Sequence, residues 1–282
     1  MAVVIDGKIL AEKIKDEIAK EIFELKGSRP NLAIILIGDR KDSVLYVNLK
    51  EKEAKMVGID THVYRCPKNI TEREIYDTID FLNKDDSIDA ILIQLPLPEG
   101  FDTDGIIRAI DPAKDVDRFH PDNLEKLLSS CEHTSVMPPL LLAIIEMLES
   151  IKYDVKNKSV CVIANSEIFG RSVKKVLECL GGKVIVANIN DSDLAEKTVK
   201  ADLLISAVGK PRFIKKEMVK KDAIIIDIGI TKEGEKVYGD VDFEDVADQA
   251  GFITPVPGGV GPMTIAMLFK GTLELYKIRR GS

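Results

Sequence analysis

Five polar side chains in the first half of this sequence carry groups suited to proton transfer and recognition. In the run Ser43-Val44-Leu45-Tyr46-Val47-Asn48-Leu49-Lys50 the tyrosine and lysine stand four residues apart, so on a helix they share one face. A ring for stacking and an amine for proton exchange would then line one wall. The same spacing also describes a solvated helix face, since Lys52 and Lys55 follow. Gln94 lies in the apolar run Ala90 to Leu95, where an unpaired amide is costly. It is either satisfied at a strand end or aimed beyond the strand's carboxyl end, where open α/β sheets bind ligands. In Lys114-Asp115-Val116-Asp117 the two carboxylates alternate. An extended chain points both the same way, toward a ligand or simply toward water.

The second half offers a different chemistry. Residues 161–172, CVIANSEIFGRS, read as a strand end, a tight turn and a helix start, the order a dinucleotide pyrophosphate needs at the amides of a helix N-terminus. The full G-x-G-x-x-G is absent: only Gly170 remains, with the small Ala164 and Ser166 where close approach is required. After the next strand stand Asn188, Ile189 and Asn190, with Asp191 slightly late. They present neither a clear ribose-binding acid nor a basic group for a 2′-phosphate. Pro255-Val256-Pro257-Gly258-Gly259-Val260-Gly261-Pro262 joins three prolines to three glycines ahead of a helix. Such a stretch is stiff at the prolines and open to close backbone approach at the glycines, as a functional loop or a structural linker.

These residues need elements to hold them. Short apolar runs alternate with helical patterns, the signature of βαβ units and parallel sheets. In the first half the pattern predicts strands at 32–37, 60–64 and 90–95. Helices fall near 11–25, at 43–57 and at 71–83, the last with Thr71 as N-cap. Met1 to Ile5 precedes the first helix. A helix at 140–150 opens the second half, followed by strands at 159–163, 183–187, 203–208 and 223–228 in Rossmann-like order. A closing helix spans Pro262 to Arg279.

The chain of 282 residues is comfortable for two domains. Its 40 basic and 47 acidic side chains leave a net charge of −7, with the signs interspersed, which argues against nucleic acid and anionic membrane as partners. Met1 to Leu10 has no signal-peptide character, and no apolar stretch reaches the roughly 18 residues of a membrane span. A cytoplasmic location is expected. Cys66, Cys131, Cys161 and Cys179 lie far apart without a Cys-x-x-Cys pair, and His62, His120 and His133 lack ligand spacing. Neither a metal site nor a disulfide is expected.

Together these stretches closely resemble the bifunctional methylenetetrahydrofolate dehydrogenase/methenyltetrahydrofolate cyclohydrolase (FolD) family. The likeness runs from the Tyr46–Lys50 helix through Gln94-Leu95-Pro96-Leu97-Pro98 and Lys114-Asp115-Val116-Asp117 to Gly239-Asp240-Val241 and Pro255 through Thr264. It implies a two-domain α/β fold: a folate-binding catalytic domain at 1–137, joined by the closing helix 262–282, and a Rossmann-like NAD(P)-binding domain at 138–261. It also implies oxidation of 5,10-methylenetetrahydrofolate with NADP in preference to NAD, then hydrolysis of the methenyl compound to 10-formyltetrahydrofolate, by a homodimer.

By the same resemblance Lys50 is the acid/base of hydrolysis, Gln94 holds it, Tyr46 stacks on the folate and Asp117 binds the pterin. Ser43, Pro257, Gly258, Gly259 and Pro262 would line the folate site. Ala164, Asn165, Ser166, Ile168, Gly170, Asn188, Ile189, Ala207, Val208, Gly209, Gly229, Ile230 and Thr264 would contact the cofactor. The chain departs from the family at Ala164, where Gly is usual, at Ser172 for Pro, at Arg118 for Gly, and at Val136-Met137-Pro138-Pro139 for Pro-Cys-Thr-Pro. It also lacks the basic residue often found near Ile189 or at Asn165.

Overall fold

The computed structural model describes residues 1–25, 27–131 and 137–281; His133 and Val136, named above, lie outside them. The first elements are β1 (Val3–Val4), α1 (Gly7–Glu24), β2 (Asn31–Ile37), α2 (Lys41–Val57), β3 (Asp60–Cys66), α3 (Glu72–Lys84) and β4 (Ala90–Ile93). Next come α4 (Thr103–Arg108), α5 (Pro121–Ser129), α6 (Pro139–Ser150), β5 (Ser159–Ala164), α7 (Glu167–Cys179), β6 (Lys183–Ala187) and α8 (Leu194–Thr198). The chain closes with β7 (Leu203–Ala207), β8 (Ile224–Asp227), β9 (Thr231–Glu233), β10 (Lys236–Tyr238), α9 (Phe243–Val246), β11 (Phe252–Ile253) and α10 (Val260–Arg280). Two compact units form. One is mainly Glu12–Lys126 with the chain from Ile265 onward, the other Met1–Ala11 with Leu140–Thr264 and a short piece after Lys126.

The first unit is built on a parallel sheet in the order β3-β2-β4. The central strand β2, NLAIILI, is apolar at six consecutive positions because helices cover both faces of a parallel sheet. α3 starts at a reciprocal capping box: the Thr71 hydroxyl accepts from the Glu74 amide, and the Glu74 carboxylate accepts from the Thr71 amide at 2.8 Å. It buries Ile75, Ile79 and Leu82. α2 buries Ser43, Val47, Ala54 and Val57 and stops at Gly58, whose φ of 89° is the left-handed cap that glycine adopts freely. The end of α10 returns to this unit. Arg280 lies 3.5 Å from Asp89, a fully buried carboxylate just before β4 that also accepts from the Asn31 amide.

The second unit carries a six-stranded parallel sheet, β1-β11-β8-β7-β5-β6. Cys161, Ile163, Leu204, Ile225 and Ile253 lie in the core of this unit. The first strand of the chain belongs here rather than to the folate-binding half expected from sequence order, since Val3 pairs with Phe252 and Val4 with Ile253. Two residues carry too little pattern to reveal a partner some 250 positions away.

The expectation of unpaired cysteines is also corrected. Cys131, just beyond α5, is bonded to Cys179 at the end of α7, with Cα atoms 5.5 Å apart across a separation of 48 residues. Cys66 and Cys161 stay free. A crosslink over such a loop restricts the unfolded chain by roughly 2 to 4 kcal/mol. Cys131→Ser, or a reductant acting on the wild type, should therefore lower unfolding stability by about that amount in urea titrations followed by circular dichroism. Identical midpoints with and without reductant would show that the bond contributes nothing to stability.

Candidate active site

Lys50 links the first unit's candidate groups, through a hydrogen bond to Gln94 and an electrostatic coupling to Asp117. β4 ends at Ile93, two residues short of the expected strand, and the Gln94 amide adds a last rung by donating to the Ile35 carbonyl at 2.9 Å. That places the side chain of Gln94 at the carboxyl end of the sheet, half buried. Its Nε2 donates to the Leu95 carbonyl at 2.7 Å, which turns Oε1 outward to accept from Lys50 Nζ at 2.9 Å. The lysine is therefore not on a solvated helix face. Burial pushes its ammonium below the usual lysine range, and the Asp117 carboxylate only partly opposes the shift.

The two acids of the 114–117 stretch part company. Asp115 is buried and accepts from the Arg118 and His120 amides at 3.0 and 2.7 Å and from Asn123 Nδ2 at 3.2 Å. It staples the loop. Arg118 has φ of 60°, a left-handed conformation that glycine takes more easily and that the Asp115 contact helps hold. Asp117 keeps some solvent exposure, yet packing raises its carboxyl to about 6, with Lys50 pulling it down and Asp115 pushing it up. Tyr46, one turn before Lys50, is exposed, whereas Ser43 is buried. A cavity of 510 Å³ lies at the carboxyl ends of β2 and β4, lined by Ile37, Gly38, Arg40, Lys68, Pro96 and Pro98.

In the second unit the turn after β5 has the form expected of a pyrophosphate site. Ser166 caps α7 by accepting from the Phe169 amide at 3.3 Å, and Asn165 Nδ2 donates to the Val208 carbonyl at 2.9 Å. A side chain at Gly170 would come within 2.7 Å of Val186, so this glycine serves helix-on-strand packing. The buried Ala164 leaves the turn unobstructed, and Ile168 and Ile230 are exposed apolar side chains. These features fit a dinucleotide. Asp191 is already engaged, accepting from the Asn188 amide at 3.1 Å and from Lys197 at 2.8 Å, so it is not a free ribose acceptor. Thr264 spends its hydroxyl on the Val260 carbonyl. Pro257, Gly258, Gly259 and Pro262 belong to this unit, with the Gly258 carbonyl accepting from the Lys8 amide. Among the described residues no cluster of His, Cys, Asp or Glu could hold a metal. Sequence reasoning gave no part to the fully buried Lys114, which donates to the Leu82 and Asp85 carbonyls, or to the buried Asp227. The packing of Gly229 and Gly239 against Asp240 and Asp227, visible only in the structure, marks the latter.

The fold and site define a two-domain α/β protein that pairs a Rossmann-type unit with an amine-centred site on a smaller parallel sheet. The chain belongs to the tetrahydrofolate dehydrogenase/cyclohydrolase family: residues 5–117 match its catalytic domain and residues 138–280 its NAD(P)-binding domain. A bifunctional protein FolD of Nitratiruptor is 47% identical over 282 residues, covering 99% of each chain. The crystal structure of the bifunctional FolD enzyme from Campylobacter jejuni is similar at a TM-score of 0.95 and 41% identity, covering 99% of this chain and 100% of that one. A Trypanosoma brucei methylenetetrahydrofolate dehydrogenase-cyclohydrolase complexed with NADP and inhibitor also scores 0.95, at 33% identity over 100% of this chain and 99% of that one.

The mutual influence of Lys50 and Asp117 yields a prediction independent of substrate. Asp117→Asn removes the carboxylate that favours the ammonium, so Lys50 should titrate at still lower pH than in the wild type. The pH dependence of amine labelling at Lys50, followed by mass spectrometry, reads this directly. A shift upward, or none, would show that the two groups do not interact.

Proposed function

We propose that this chain oxidises 5,10-methylenetetrahydrofolate with NADP and hydrolyses the methenyl product to 10-formyltetrahydrofolate, as a cytoplasmic homodimer. The observation that carries the reading is the desolvated Lys50 amine held on Gln94 beside the raised carboxyl of Asp117.

The two steps ask different things of the protein. Oxidation removes a hydride from the one-carbon bridge, and NADP supplies the acceptor when bound. No side-chain base is required for that step, only placement. Hydrolysis adds water to the methenyl carbon and then opens one carbon–nitrogen bond, so protons must leave the water and reach the departing nitrogen. A lysine whose pKa is lowered by burial gives up its proton more readily than a solvated one, which suits it to take and return a proton in this step. Gln94 fixes the direction of the amine because its other end is tied to the Leu95 carbonyl. Asp117, once ionised, can accept the paired N–H donors of a pterin edge, and Tyr46 offers a ring face.

NADP rather than NAD is supported by the complex of the trypanosomal relative and by the engagement of Asp191, which takes that acid away from a ribose diol. Self-association is supported by the edge of the larger sheet, where Ile185 and Val186 of β6 are exposed. No helix among the described residues is long and apolar enough to cross a membrane.

Lys50→Met separates the two chemistries. Methionine keeps much of the stem but exchanges no proton, and a positioned acid/base group contributes about 10² to 10⁴ in rate. The variant should retain a substantial part of the oxidation rate and accumulate methenyltetrahydrofolate, which is followed by its absorbance. Hydrolysis surviving within about tenfold of wild type would remove Lys50 from the proton transfers.

A further inference from the structure

Two buried carboxylates in the second unit are held by a ring of amides. Asp240 Oδ2 accepts from the Ser206 hydroxyl and the Val208 amide, both at 2.8 Å, and its Oδ1 accepts from the Lys210 amide at 2.9 Å. Asp227 Oδ1 accepts from the Gly229 and Asp240 amides at 3.0 Å, and its Oδ2 from the Val241 amide at 2.9 Å. Asp227 thus fixes the backbone that carries Asp240, and Asp240 fixes the turn that follows β7. The glycines are part of the lock: a Cβ at Gly229 would lie 2.1 Å from Asp240 Oδ1, and one at Gly239 would lie 2.0 Å from Asp227 Oδ2.

Stability alone gives a poor reason for this arrangement. Two carboxylates taken out of water and set against each other are costly, and apolar side chains of similar volume commonly serve a core as well or better. Burial, with Asp240 opposite, pushes Asp227 up to about 7. What the pair does achieve is geometric. β7 and β8 are adjacent and parallel, and both secured turns, 207–210 and 228–230, leave from their carboxyl ends, the side on which open α/β sheets bind ligands.

We propose that Asp240, seated by Asp227, is a positioning residue for the oxidative step, holding the turns after β7 and β8 in the shape that receives the dinucleotide. This rests on the reading that Val208, Gly209, Gly229 and Ile230 contact the cofactor. Small displacements of a reacting group cost disproportionately in rate, so loosening these turns weakens cofactor binding and slows hydride transfer, whereas proton transfer at Lys50 does not draw on them.

The test uses full-length wild type, Asp240→Asn and Ser206→Ala. NADP affinity is measured by calorimetry, amide hydrogen exchange at 207–210 with and without NADP, and both activities on the same preparations. In wild type NADP should protect 207–210. Asp240→Asn should weaken NADP binding at least about tenfold, in keeping with loss of a charge-assisted bond. Exchange at Val208 and Lys210 should rise, and oxidation should fall much further than hydrolysis. Ser206→Ala keeps the carboxylate and loses one neutral donor, so its affinity should drop only about threefold, which keeps the test open should Asp240→Asn fail to fold. Wild-type NADP affinity and oxidation in both variants would overturn the inference alone. Absence of NADP protection at 207–210 in the wild type would overturn the cofactor placement, and the inference with it.

Discussion

Desolvation of one amine, that of Lys50, is the interaction on which the smaller unit's candidate site depends. A lysine at the surface of α2 would stay fully charged near neutral pH and would be a poor proton acceptor, but Lys50 is drawn in toward the carboxyl end of the β3-β2-β4 sheet. There its ammonium loses water, and the compensations are one hydrogen bond donated to the uncharged Gln94 amide and a partial pull from Asp117. Neighbouring features serve that balance. β4 stops in time for Gln94 to turn its amide outward, and Asp115 holds the following loop through three hydrogen bonds, which delivers Asp117 close enough to couple without neutralising the burial effect.

The larger unit handles charge in the opposite way. It too buries ionisable groups, yet Asp227 and Asp240 are surrounded by amides. One unit uses burial to shift an amine's titration, the other to fix backbone. That division agrees with the two chemistries, since hydride transfer is demanding in placement and hydrolysis in proton traffic.

Much of the scaffold was legible in the sequence. β2, β4, β5 and β6 announce themselves as short apolar runs, and Thr71 with Glu74 spells out a capping box by residue type and spacing alone. Tyr46 and Lys50 fall on one helix by their separation. Spacing could not say whether that helix faces water, because the answer depends on Gln94, 44 positions later. The same limit explains the rest. Asp115 and Asp117 look equivalent in an extended strand, and only the backbone at Arg118 and His120 separates a staple from a coupled acid. The pairing of β1 with β11 and the Cys131–Cys179 bond are long-range contacts without a local pattern. Asp227 and Asp240 resemble any acids near turns until Gly229 and Gly239 are seen packed against their oxygens.

The central claim is that burial makes the Lys50 amine available as a proton acceptor, and the pH dependence of kcat for methenyl hydrolysis by the wild-type enzyme tests it most directly. After subtraction of the spontaneous reaction, the rate should rise with pH through an inflection below the ordinary lysine value of 10.5, as Lys50 loses its proton. An inflection at that ordinary value, or a rate that does not rise as lysine deprotonates, would contradict the account.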